Sequence, residues 1–353
     1  MNIEEISLAK TFVTRPHLVI IGAGATMDAI PNGDKNGKRS SVMAGFIETL
    51  GFSDIIKRAN LNIESDNLED VYSALAERES CNSIRYDLEN AIFNYFDSLE
   101  LPDSITKYDL LIASLTKKDC IASFNWDGLL VDAYRRMMKI TNDLPNIIFL
   151  HGNVKVGYCP DCDTFGYYLL PCPKCRTLFS RTKLLYPIKH KNYSNDIFIR
   201  KQWQIFEDFL SRAAIVTIYG YSAPKTDAEA IEKLQNAFIR IATNRFLDEI
   251  QIIERPGFNH NDISDAWVRL SSNVHDHLTI KESFFDTYLA EFPRRSVEGY
   301  AKRNICGWWG SSNLSFNKER GCDYTIDELH KLLSPLFGVD ALDSLADKTL
   351  SAR

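Results

Sequence analysis

Short apolar runs recur along the chain, and each ends on glycine or a polar cluster. The clearest is His17–Ile21 (HLVII), which stops at Gly22-Ala23-Gly24. A continuous run of this length reads as a strand covered on both faces. Comparable strands are expected at Cys120–Phe124, Asn146–Leu150, Ala213–Tyr219 and Glu249–Glu254, with a shorter one around Leu184–Ile188. Between them the apolar spacing shifts to three and four. From Val42 to about Asp119 the pattern is helical, clearest over Asp66–Glu79, Ser83–Glu100 and Ile105–Leu115. Further helices are predicted over Leu129–Lys139, Lys201–Arg212 and Asp227–Asn244. The segment Pro31–Ser41 (PNGDKNGKRSS) is rich in turn formers and charge, and reads as a loop.

Strands alternating with helices predict an α/β fold, a doubly wound, Rossmann-like parallel sheet. Three additions modify it: a helical insertion over 42–118, a small cysteine-bearing module over 155–180, and a C-terminal region over 256–353. The last opens with Gly, Asn and Asp turns and then shows helical segments near Lys281–Phe292 and Thr325–Leu336. Residues 1–255 would form the main α/β part, and 256–353 a helical appendage.

Composition narrows the function classes. With 41 Lys plus Arg against 47 Asp plus Glu, the formal net charge is −6, which does not favour nucleic acid as a direct ligand. The N-terminal stretch (MNIEEISLAK) is acidic and carries no apolar core of signal length, and the apolar stretch His17–Ala25 is too short to cross a bilayer. A cytoplasmic protein without a membrane partner is expected. Four of the eight cysteines form two Cys-x-x-Cys pairs, Cys159/Cys162 and Cys172/Cys175, with the nine residues 163–171 between them. Four thiolates on two knuckles satisfy tetrahedral zinc and leave no open position, so a structural Zn²⁺ ribbon is predicted.

Candidate chemistry collects at strand ends, where ligands of open α/β sheets bind. Gly22-Ala23-Gly24-Ala25 would let a backbone turn approach a pyrophosphate, although Met27 occupies the place of a third glycine; a plain tight turn is the alternative. Ser123-Phe124-Asn125-Trp126-Asp127 ends the second strand, and its Asn and Asp also suit a helix cap. His151, in Leu150-His151-Gly152, follows the third strand and is suited to general-base work. Tyr219-Gly220-Tyr221-Ser222, with Asp227 beyond, ends the fourth; cofactor contact and a Ser/Asp cap are equally open there.

In this order the motifs resemble the sirtuin family over roughly residues 15–255, and are most similar to the bacterial sirtuin-like NAD hydrolases of anti-phage defence. The resemblance implies that Gly22, Ala23, Gly24, Ala25 and Thr26 bind the phosphates of NAD, and that Ile30 and Pro31 belong to the flexible cofactor loop, with Asp34 following. It places Asn125 beside the nicotinamide ribose, Asp127 on the carboxamide, Trp126 beside the nicotinamide pocket, and His151 as the catalytic histidine. Gly220, Tyr221 and Ser222 fall in the family's Gly-Thr-Ser turn. Two departures shape the expectation. The family's Asp-Phe-Arg is replaced by Asn32-Gly33-Asp34-Lys35, and 181–190 (RTKLLYPIKH) has no counterpart of the strand that pairs with a substrate peptide. NAD hydrolysis to nicotinamide and ADP-ribose is therefore favoured over protein deacylation or a non-catalytic NAD- or ADP-ribose-sensing module. The hydrolysis requires Asn125 and His151 to converge on one glycosidic carbon. The resemblance further implies a homo-oligomer, restrained by a partner such as an ATPase of the HerA family.

Overall fold

The computed structural model describes residues 12–40, 45–59, 65, 67–186, 196–223, 227–244, 248–254, 278–307 and 312–338. A six-stranded parallel sheet forms its centre. The strands are β1 (His17–Ile21), β2 (Cys120–Ser123), β3 (Asn146–Phe149), β7 (Ile215–Tyr219), β8 (Glu249–Ile253) and β9 (Leu278–Lys281), in the order β3-β2-β1-β7-β8-β9. The chain winds outward from β1 to β3, then returns to β7 on the other side of β1. This reversal makes the carboxyl ends of β1 and β7 the switch point, where an open sheet leaves a crevice.

Alternation along β1 splits the core in two. Val19 and Ile21 join a cluster built with α1 (Ala23–Ala29), α4 (Leu68–Ala76), α5 (Asn82–Asp97), α6 (Lys107–Ala113) and α7 (Leu129–Met137). Leu18 and Ile20 join the opposite cluster, with α8 (Ile197–Arg212) and α9 (Ala228–Asn244). Every residue of β1, β7 and β8 is buried, which explains their largely apolar spelling; Thr217, Glu249 and Gln251 are the buried polar members of β7 and β8. The helical insertion is borne out: α2 (Phe46–Thr49), α3 (Ser53–Arg58), α4, α5 and α6 follow in series, with no strand among the described residues of 42–118. No helix among the described residues is long and apolar enough to cross a membrane.

A second, three-stranded antiparallel sheet carries the cysteines, in the order β5-β4-β6: β4 (Val156–Cys159), β5 (Thr164–Tyr167) and β6 (Ser180–Arg181).

Three expectations change. No strand forms over 184–186; Leu184 packs into one core cluster and Leu185 into the other, so the segment plugs two layers rather than joining a ladder. Residues 187 and 188 of that expected strand lie outside the described residues, as do the turns over 256–277. The strand series does not stop at Glu254, because Leu278–Lys281 pairs with β8 as the sixth strand. The helix expected over Lys281–Phe292 shrinks accordingly to α10 (Tyr288–Glu291), preceded by a 3₁₀ turn over Phe284–Asp286. Beyond it lie α11 (Ser296–Asn304) and α12 (Ile326–Leu333), the latter opened by a Thr325–Glu328 capping box.

Candidate active site at the strand tips

The tip of β2 is organised by hydrogen bonds that all run toward one carboxylate. Asn125 donates its amide to the Gly22 carbonyl at 2.9 Å, to Thr26 Oγ1 at 3.0 Å and to the Tyr108 hydroxyl at 3.2 Å. Thr26 donates to Asp127 Oδ2 at 2.8 Å, so the 2.7 Å contact between Tyr108 and Thr26 has the phenol donating. Asp127 also accepts from the Leu129 amide at the start of α7, at 3.1 Å. Thr26 and Tyr108 are wholly buried, and Asp127 is 3% exposed. Burial raises the Asp127 carboxyl, against the Thr26 and Leu129 hydrogen bonds that hold it down. Burial, and then the charge of Asp127, push the Tyr108 phenol well up. Nδ2 has two hydrogens for these three neighbours, so two of the contacts share one, and the Gly22 carbonyl, which can only accept, fixes which way the amide faces. Its Oδ1 receives no hydrogen bond among the described residues.

The tip of β3 presents a different arrangement. Gly152 has φ +81°, and a Cβ there would meet the Lys183 carbonyl at 2.1 Å, so only glycine allows the chain to turn away directly after His151. His151 Nε2 lies 3.1 Å from Asp227 Oδ2, with both side chains at least nine-tenths buried. The imidazole stands edge-on to Phe124, centroids 4.8 Å apart, and Phe124 stacks on Tyr221 at 4.0 Å and 4°. Burial and the neighbouring Asp227 push the Tyr221 phenol well up.

These two groups reach the strand tips from opposite faces. Asn125 is bonded to the α1–α6 side, where Trp126 belongs to the first core cluster; His151 packs on Phe124, a member of the second. Among the described residues no hydrogen bond or ring contact joins Asn125 to His151. Their neighbours link the two strand tips instead: the Leu150 amide donates to the Ser123 carbonyl at 2.8 Å, and Asn153 Nδ2 donates to the Asp127 carbonyl at 2.6 Å.

The glycine turns after β1 and β7 are locked together. Gly24 donates its amide to the Gly220 carbonyl at 2.9 Å, and Gly22 donates to Tyr219 at 3.0 Å. Gly220 has φ +62°, and a Cβ on it would fall 2.2 Å from the Ala25 nitrogen. The glycines thus serve close backbone packing across the switch point. Ser222 is exposed, and Tyr221 is buried.

The remaining candidates are spread. Ile30, Pro31 and Asp34 line a cavity of about 480 Å³ together with Asp28, Lys107 and Cys322. Asp34 is turned into its own loop, accepting from the amides of Asn36 and Lys38 at 2.8 Å and of Glu100 at 3.0 Å. Asp28, on the cavity wall, receives the Tyr219 hydroxyl and pairs with Lys107. Trp126 is 6% exposed and packed against Phe96 and Tyr186; its indole N–H has no partner among the described residues.

The sulfurs of Cys159, Cys162, Cys172 and Cys175 all lie within 4.8 Å of one another. A tetrahedron of thiolates about 2.3 Å from a zinc ion has edges of about 3.8 Å, so the set fits structural zinc. Tyr108 is the member of the site that sequence reasoning missed, and Asp227 was singled out there only as a cap or a neighbour of the cofactor turn. Tyr108 carries no local signal within its helical run, and Asp227 reads equally well as a cap.

Fold and site together define a doubly wound α/β protein with polar side chains gathered at the carboxyl ends of its strands and a cysteine-rich ribbon. No family model matches the sequence, and no curated protein matches it. Among solved structures the chain is similar to a Sir2 homologue in complex with NAD, at 15% identity, covering 85% of this chain and 93% of that one, with a TM-score of 0.35. It is also similar to a Sir2 complex with a deacetylated p53 peptide and 3'-O-acetyl-ADP-ribose, at 13% identity, 87% and 98% coverage and a TM-score of 0.36. A third is a Sir2 enzyme at 14% identity, 86% and 98% coverage and a TM-score of 0.37.

Proposed function

We propose that this chain hydrolyses NAD to nicotinamide and ADP-ribose in the crevice above β1, β2, β3 and β7. The observation that carries this reading is the pinned amide of Asn125. With Nδ2 committed to Gly22, Thr26 and Tyr108, the oxygen is the atom left to receive a proton donor, such as an attacking water. As the nicotinamide leaves, positive charge develops on the ribose, and oriented oxygens around it stabilise that charge without reorganising. His151 takes the proton of the attacking water, a role worth about 10²–10⁴-fold. Asp127 receives the carboxamide of the departing nicotinamide. Asn125 and His151 bond into opposite core layers and share no contact among the described residues, so the reading requires that a ribose lying across the strand tips be within reach of both.

The phosphates run along the Gly22–Thr26 turn toward Gly220, Tyr221 and Ser222, and Ile30, Pro31, Asp34 and Trp126 border the bound cofactor. Zinc on the four cysteines is structural. From the motif resemblance alone come the finer parts of the proposal: NAD depletion in anti-phage defence, a cytoplasmic homo-oligomer, restraint by a HerA-type ATPase, and the division at residue 255.

Chromatography of products after mixing purified protein with NAD tests it. Nicotinamide and ADP-ribose are expected in equal amounts, and Asn125→Ala and His151→Ala are each expected to abolish release with the circular dichroism spectrum unchanged. Full turnover by either variant refutes the assignment. Release only on addition of an acetyl-lysine peptide indicates deacylation, and binding of NAD without product indicates a sensing module.

A further inference from the structure

The pairing of His151 with Asp227 joins residues from two different strand ends in a nearly water-free setting. Asp227 directly precedes α9, and its carbonyl accepts the Ile231 amide at 2.9 Å, the bond expected of a residue that caps a helix. One carboxylate oxygen stands 3.1 Å from His151 Nε2, and the two side chains are 4% and 9% exposed. The imidazole is held on a second side by Phe124, whose ring is in turn stacked on Tyr221, and Tyr221 faces the same Asp227. Carboxylate, imidazole and two aromatic rings thus close a loop drawn from β2, β3 and β7.

We infer that Asp227 is the positioning residue of His151: its carboxylate accepts the Nε2 proton, which leaves the ring's lone pair on Nδ1 and makes Nδ1 the basic atom. The inference rests on the reading of His151 as the base of NAD cleavage, and it adds the partner and the tautomer. In a neutral imidazole one nitrogen donates and the other accepts, so a carboxylate at Nε2, which can only accept, selects the Nε2–H form. The proton balance follows. Water oxygen bonds to the anomeric carbon of the ribose, and the bond from that carbon to the nicotinamide nitrogen breaks. Its electron pair leaves on neutral nicotinamide. The water proton passes to Nδ1 and then to solvent. Asp227 remains ionised throughout and stabilises the transient imidazolium at short range, where little water screens the pair.

The arrangement also ties the base to α9. Whatever shifts the start of that helix moves the carboxylate away from Nε2, and the histidine then loses both its tautomer and its orientation.

The test uses the full chain labelled with ¹⁵N-histidine, alongside Asp227→Asn, which keeps the shape and offers an N–H in place of the second oxygen. In the wild type without NAD, the His151 signals are expected to show a protonated Nε2 and an unprotonated Nδ1. In Asp227→Asn the proton is expected on Nδ1, and kcat for nicotinamide release is expected to fall by about 10³–10⁴-fold, with KM changed less than about threefold. A wild-type His151 protonated on Nδ1 overturns the inference, as does an Asp227→Asn enzyme within about threefold of wild-type kcat. Failure of the underlying reading looks different: His151→Ala would then cleave NAD at the wild-type rate, whatever the tautomer spectrum shows.

Discussion

Thr26 and Asp127 stand 101 residues apart and share a 2.8 Å hydrogen bond in which the hydroxyl donates and the carboxylate accepts. The same hydroxyl oxygen receives Asn125 at 3.0 Å and Tyr108 at 2.7 Å. One side chain on α1 therefore joins Asn125, Tyr108 and Asp127 and sets the direction of the bonds among them. The resemblance places this residue at the cofactor phosphates; its side chain is committed to a buried network, which leaves its backbone for that role.

Thr26→Val keeps the shape and removes that hub. Two donors and a carboxylate lose their partner in a buried setting, which is expected to cost about 1–3 kcal/mol of stability in urea unfolding. The Asp127 carboxyl, already raised by burial, should rise further, because the Thr26 hydrogen bond is the first of the interactions holding it down. Nicotinamide release should fall more than stability does, since Asn125 becomes free to turn its amide over, and Thr26→Ser should recover most of it. A valine variant with wild-type turnover would show that the network only supports the fold.

The zinc ribbon connects to this site through one loop. Thr182 donates to the carbonyls of Asn153 at 3.0 Å and Val156 at 3.1 Å, and Asn153 in turn donates to the Asp127 carbonyl. The native protein is expected to carry about one zinc per chain by elemental analysis, as a complete four-thiolate shell requires. Cys172→Ala removes a fully buried ligand. It is expected to lose the metal, lower the melting temperature, and weaken NAD cleavage through the Asn153 loop, because structural zinc contributes its binding energy to folding. Chelation that strips the metal while leaving both melting and turnover intact would contradict this.

How much of this was legible in the sequence depends on where each residue's partners lie. Strands β1, β7 and β8 were readable because both of their faces are covered and mostly apolar, although β8 also buries Glu249 and Gln251. β9 was not. All four of its residues are half-buried, it lies at the sheet edge, and its Leu-Thr-Ile-Lys spelling resembles the start of the short helix that follows. The apolar run at Leu184 and Leu185 misled for the opposite reason: it is buried, but across two core layers rather than within a ladder. At the site, position after a strand sufficed to single out Asn125, Asp127 and His151. Tyr108 was invisible, and the pairing of Asp227 with His151 was too, because tertiary packing alone brings them there. The Gly22, Gly24 and Gly220 turns were recognisable as special, yet their shared role lies in backbone contact across the switch point.

His17 is the buried counterpart to His151 at the other end of the sheet, and it makes the fold sensitive to acid. It is wholly buried at the start of β1, with Nδ1 2.8 Å from Ser296 Oγ and Nε2 2.7 Å from Thr217 Oγ1, so it ties β1 to β7 and to the first residue of α11. Burial takes its pKa from 6.5 down to about 3. The folded state thus holds a neutral ring down to about pH 3, whereas the unfolded chain takes up a proton near 6.5. Between those values the unfolded state binds more protons, so stability is intact above about pH 6.5 and declines as pH falls through the window. At about 1.4 kcal/mol per pH unit, this one residue should remove about 2 kcal/mol of unfolding free energy between pH 7 and pH 5. His17→Gln, which can still bond at both ends and does not titrate, is expected to be less stable at pH 7 but to lose less on acidification. Urea unfolding of both proteins at the two pH values measures the difference. Equal losses would mean that the acid response arises elsewhere and that the Ser296–His17–Thr217 bridge does not govern it.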